Sequence, residues 1–98
     1  MFAVRIAQLA LDHLGRLRAY DRNRVLDEIM EQLTYEPAVP TGRRKQLVGT
    51  VLSCDHVQPV WQLRVADFRI IYDVDEENGT VIVRAVLRKG RRTTGEIL

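Results

Sequence analysis

The chain has 98 residues, 46% of them hydrophobic and 29% charged, with 15 Lys and Arg against 13 Asp and Glu for a formal net charge of +2. One domain of this size can bury a core without disulfides or a metal. No apolar run reaches transmembrane length, and the single cysteine, Cys54, excludes an internal disulfide framework. The start, MFAVRIAQLALDHL, has neither the basic opening nor the clean apolar stretch of a signal peptide. The expected location is the cytoplasm, with no membrane partner.

Phe2–Ile6 is rich in β-formers and reads as a first strand. Ala7, Ala10, Leu11, Leu14 and Leu17 then recur at helical spacing. His13 falls off that stripe and is expected in solvent. Asp21 is the expected N-cap of a second helix, whose apolar face is Val25, Leu26, Ile29, Met30 and Leu33. Two helices with so short a link form an antiparallel hairpin. Glu36-Pro37 and Pro40-Thr41-Gly42 end it. Between residues 35 and 57 the pattern is ambiguous, and Leu47-Val48 fits either a short strand or packing under a loop.

Residues 61–89 alternate apolar and polar in three runs and predict an antiparallel meander. A first turn at Ala66-Asp67 pairs Trp61 with Tyr72, Leu63 with Ile70, Val65 with Phe68 and Arg64 with Arg69. A second turn at Asn78-Gly79 suits a two-residue hairpin. It pairs Tyr72 with Ala85, Asp73 with Arg84 and Arg69 with Arg88, and puts Val81, Val83, Ala85 and Leu87 on the core face. The sum is a single α+β domain over residues 1–98, ordered β-α-α-β-β-β. The helix hairpin covers one face of a largely antiparallel sheet, and the other face stays open.

In this register Arg64, Arg69 and Arg88 form a row across three strands with no acid among them. Like charges directly opposite one another destabilise a sheet, so the row is expected to serve an anion. Further cations cluster at Arg43, Arg44 and Lys45, and at Arg88, Lys89, Arg91 and Arg92. Asp73, Asp75, Glu76 and Glu77 are read as turn acids balanced by Arg84, not as metal ligands. His13, His56 and Cys54 are too scattered for a zinc site.

The order of elements resembles the RelE/ParE superfamily of bacterial toxins from type II toxin–antitoxin modules. WQLRVADFRIIYDVD is similar to that group's W-x-L-R-V-G-D-[YF]-R-[VI]-x-Y pattern. The stretch Lys45-Gln46-Leu47 and the ending VRAVLRKGRRTTGEIL match as well. The resemblance implies a toxin held by a cognate antitoxin. RelE-like members cleave mRNA on the ribosome without metal or cofactor; ParE-like members inhibit DNA gyrase; a fold retained only for binding is a third alternative. By position Arg69 matches the arginine of the D-[YF]-R motif, and Arg88 or Lys89 the basic residue after the last strand. These three are the expected catalytic residues, with Arg64, Lys45, Arg91 and Arg92 binding RNA phosphate. Relatives have lysines where this chain has Val60 and Gln62, and a C-terminal tyrosine or histidine that has no counterpart here.

Overall fold

The computed structural model describes residues 1–47 and 59–89. The elements run β1 (Ala3–Ile6), α1 (Gln8–Gly15), α2 (Ala19–Leu33), β2 (Arg44–Leu47), β3 (Val60–Val65), β4 (Phe68–Asp75) and β5 (Thr80–Arg88). The expected α+β architecture is present, with β2 as one strand more than the sequence resolved. The sheet order is β1-β5-β4-β3-β2. All neighbours are antiparallel except β1 and β5, which run parallel. A parallel partner needs a crossover, and the two helices lie within it.

The helices differ from expectation at their edges. α2 begins two residues before Asp21, with Arg18 at the N-cap position and no side-chain cap. Asp21 instead lies in the first turn, where its charge favours the helix dipole. Ala10, Leu14, Val25, Ile29 and Leu33 are buried, but Leu11 and Met30 are 47% and 54% exposed.

The β3–β4 hairpin has the predicted register, including Arg64 opposite Arg69. Ala66 holds its tight turn at φ +49°. Trp61 and Tyr72 pair across the strands with ring centroids 6.3 Å apart, and both are buried.

The β4–β5 hairpin departs from it. Four residues, Glu76–Gly79, separate the paired Asp75 and Thr80. Asp75 builds this longer turn by accepting hydrogen bonds from the Asn78 backbone at 3.2 Å and its Nδ2 at 2.7 Å. These bonds hold the Asp75 carboxyl below its usual range. Farther along, Tyr72 pairs with Val83 but Ile71 with Ala85, so Arg84 is an extra residue on β5. Such a bulge reverses which face the following residues occupy. Val86 therefore joins Val81 and Val83 in the helix-side core. Ala85 and Leu87, expected there, pack on the opposite face with Val60, Ile71 and Leu47. That face is consequently not open throughout: Val60, Ile71 and Ala85 are fully buried.

Candidate anion-binding site

The open part of the second face lies beside the β3–β4 turn. Arg64 and Arg69 face each other there. The β2 register, Arg44 opposite Leu63, brings the preceding Arg43 opposite Arg64, and the Arg64 N–H donates to the Arg43 carbonyl at 2.8 Å. The row of three arginines exists, but its third member is Arg43. Arg88 does not belong to it. Beyond the bulge Arg69 pairs with Leu87, and Arg88 pairs with Phe68 on the helix side. There its guanidinium carbon lies 4.8 Å from the Phe68 ring centroid, a cation–π contact.

Thr41, Gly42, Arg43, Arg44, Lys45, Gln62, Arg64 and Arg69 line a depression of about 190 Å³. Lys45 sits opposite Gln62, one step along the same face. Backbone carbonyls orient the arginines without neutralising them. Arg64 Nη2 donates to Gly42 O at 3.0 Å, and Arg69 Nη1 to Phe68 O at 2.9 Å. Among the described residues Arg64, Arg69 and Lys45 have no carboxylate within ion-pair distance, whereas Arg43 pairs with Glu28. An anion held by several such donors would gain charge-assisted hydrogen bonds that the free site lacks.

The Arg43-Arg44-Lys45 cluster is not one charged surface. Arg44 points to the helix side and is 9% exposed. Its Nε donates to Val39 O at 3.1 Å and its Nη1 to Gln32 O at the end of α2. A cation at a helix C-terminus meets orphan carbonyls and the negative end of the dipole. Tyr72 Oη donates to Pro37 O at 2.6 Å, and burial pushes the phenol well above its ordinary range. Together Arg44 and Tyr72 pin the segment that leads into Thr41-Gly42.

His13 is half-buried, not solvated. Its Nδ1 accepts the Val86 N–H at 3.0 Å. β1 stops pairing with β5 at Val83, so a helix side chain takes over as acceptor. Burial, then Arg16, lower the pKa of His13, consistent with the neutral ring this bond needs. The histidine is therefore committed to structure. Among the described residues no three His, Cys, Asp or Glu side chains are grouped to hold a metal, and no helix is long and apolar enough to cross a membrane. Cys54, His56, Arg91 and Arg92 lie outside the described residues.

Residues 4–92 match the family model described as the ParE toxin of the parDE type II toxin–antitoxin system. The chain belongs to that family. It is a toxin of the RelE/ParE superfamily, as the WQLRVADFRIIYDVD motif implied. Solved structures share the fold at low identity. The toxin–antitoxin complex RelBE2 of Mycobacterium tuberculosis matches with a TM-score of 0.70 and 22% identity, over 90% of this chain and 98% of that one. The RelE–RelB complex of Pyrococcus horikoshii matches at 0.67 and 21%, over 93% and 98%. The isolated RelE toxin of Escherichia coli matches at 0.66 and 15%, over 99% and 94%. No curated protein matches the chain.

Within the toxin, the motif arginines Arg64 and Arg69 share the depression, and Lys45 and Gln62 line it with them. Val60, at a position where relatives carry lysine, is fully buried. Of the two expected cations after the last strand, Arg88 turns away. Lys89 follows it beside the first turn, its N–H donating to Asp67 O at 2.6 Å. Sequence reasoning omitted Arg43 from the site because the strand that aligns it lies in the ambiguous segment.

Proposed function

We propose that the toxin cleaves RNA by metal-independent transesterification, with translated mRNA on the ribosome as its target. The observation that carries this reading is the Arg64–Arg69 pair, like charges side by side in an open depression with Lys45 nearby. The cost of that pairing is offset when a phosphodiester binds between them. A ribose 2′-hydroxyl attacks the adjacent phosphorus, the P–O5′ bond breaks, and a 2′,3′-cyclic phosphate and a 5′-hydroxyl result. Arg69 stabilises the negative charge that builds on the phosphoryl oxygens, pre-oriented by the Phe68 carbonyl. Arg64 and Lys45 hold the backbone, and Lys89 adds a cation beside the turn.

A second reading, inhibition of DNA gyrase without catalysis, has one observation in its favour. The described lining of the depression contains no histidine, cysteine, tyrosine or carboxylate to move a proton. Expression of the toxin, followed by mapping of mRNA 5′ ends and assay of DNA supercoiling, separates the two. New 5′-hydroxyl ends are expected, with supercoiling unchanged. Arg69→Ala is expected to abolish growth inhibition while leaving the melting temperature nearly unchanged; full toxicity of a well-expressed variant would refute the site.

Under either reading a cognate antitoxin neutralises the protein, as the RelBE complexes among the structural neighbours suggest. An acidic antitoxin segment laid over the arginines would compete with phosphate for the same donors. Such a complex weakens as salt rises.

A further inference from the structure

Arg43 differs from the other two arginines of the row in one respect. Arg64 and Arg69 donate to carbonyls and keep their charge available, whereas Arg43 Nη2 meets Glu28 Oε2 at 2.9 Å. Glu28 reaches it from α2, past the β2 edge of the sheet. The contact is exposed, with 42% of the Arg43 side chain and 22% of the Glu28 side chain in solvent. Exposed pairs of this kind are weak. A carboxylate and a phosphodiester carry the same unit charge and accept from a guanidinium with similar fork geometry.

We infer that Arg43 is a second phosphate-binding residue, and that Glu28 occupies in the free toxin the place taken by the next phosphate of a bound RNA. The inference rests on the reading of Arg64 and Arg69 as a phosphate site. Once one phosphate is bound there, its neighbour is tethered beside Arg43 at high effective concentration and displaces a weakly held carboxylate. An isolated phosphate has no such advantage at Arg43. The device therefore favours a chain with two consecutive phosphates over a mononucleotide.

The test uses the full chain and a 2′-O-methyl oligoribonucleotide, which binds but cannot be cleaved, titrated at several salt concentrations. Glu28→Gln is expected to tighten binding about two- to fivefold, the strength of an exposed ion pair. The log–log salt dependence should stay nearly the same in Glu28→Gln, since the parent chain contacts the same phosphates once Glu28 is displaced, and should fall by about 0.7 in Arg43→Gln, the increment for one single-strand phosphate contact. Arg43→Gln should weaken binding and abolish the effect of Glu28→Gln when the two are combined. Arg43→Lys, which keeps the charge, should retain it. A Glu28→Gln gain that persists without Arg43 would reduce Glu28 to a diffuse charge effect and overturn the subsite. So would no gain at all, provided Arg69→Ala still weakens binding. If Arg69→Ala leaves oligonucleotide binding unchanged, the phosphate site itself is wrong, and the subsite falls with it.

Discussion

The two hairpins of the meander share β4 but set their registers by different means. In β3–β4 a two-residue turn leaves one in-register pairing, and on its core face apolar residues meet apolar residues: Trp61 with Tyr72, Leu63 with Ile70 and Val65 with Phe68. In β4–β5 a four-residue turn begins the ladder two places out from the expected alignment, and the bulge at Arg84 restores one of them. The net shift of one residue sends Arg88 to the helix side and Val86 into the core. A strand's chemistry thus depends on the last irregularity before it, since every later side chain changes face. Asp73 and Arg84 do form the ion pair expected of them, at 2.9 Å, but as a bulge contact with Asp73 fully buried, not as a ladder pair.

Breaking that contact should have the largest effect. Arg84→Met removes one charged partner of a fully buried carboxylate, a loss that costs up to about 3–5 kcal/mol. Urea denaturation is the measurement; a cost near zero would mean that the bulge does not depend on the pair. Val86→Ala tests the face reversal directly. Val86 is 6% exposed, and losing two buried methyl-sized groups should cost about 1.6 kcal/mol. An exposed Val86, as the unbulged register requires, would lose almost nothing.

The first hairpin is sharpened by Ala66→Gly. A non-glycine residue at φ +49° is strained, and glycine relieves this at some cost in chain entropy. A net gain of up to about 1 kcal/mol is expected, with the β3–β4 register unchanged. The smallest effect concerns pH. The folded state lowers the pKa of His13 below its ordinary 6.5, so the unfolded chain takes up a proton first as pH falls. The His13 contribution to stability is present above pH 6.5 and is lost as pH falls through its lowered folded value. Urea midpoints at about pH 7.5 and about pH 5.5 should therefore differ less in His13→Gln than in the parent chain.

Much of the site was legible in the residues. Arg64 and Arg69 follow from alternation and one tight turn, both local properties, and the motif around them indicated the family. Arg43 was visible only as one charge in a cluster. Its separation from Arg44, one in the anion row and the other capping α2, needs the position of β2, which four residues of weak pattern do not announce. The expected placements of Arg88, Ala85 and Leu87 failed for the complementary reason. Asn78-Gly79 is a strong turn signal, yet Asp75 recruits Asn78 into a longer turn, and nothing in the alternation of VIVRAVLR marks Arg84 as the extra residue.

By itself, then, the sequence determined the fold class, the presence of two helices between β1 and the meander, the first hairpin's register and the pairing of two like charges. Each of these rests on contacts between residues close along the chain, where period and turn chemistry act directly. The tertiary structure decided which third arginine completes the row, which face Arg88 and Val86 take, and that His13 serves β5 in place of β1. Those outcomes depend on where distant segments end against one another: β2 against β3, the bulge against Asp73, β1 short of Val86. Unmet backbone groups and buried charge impose their costs only once such ends are in place, so local pattern does not encode them.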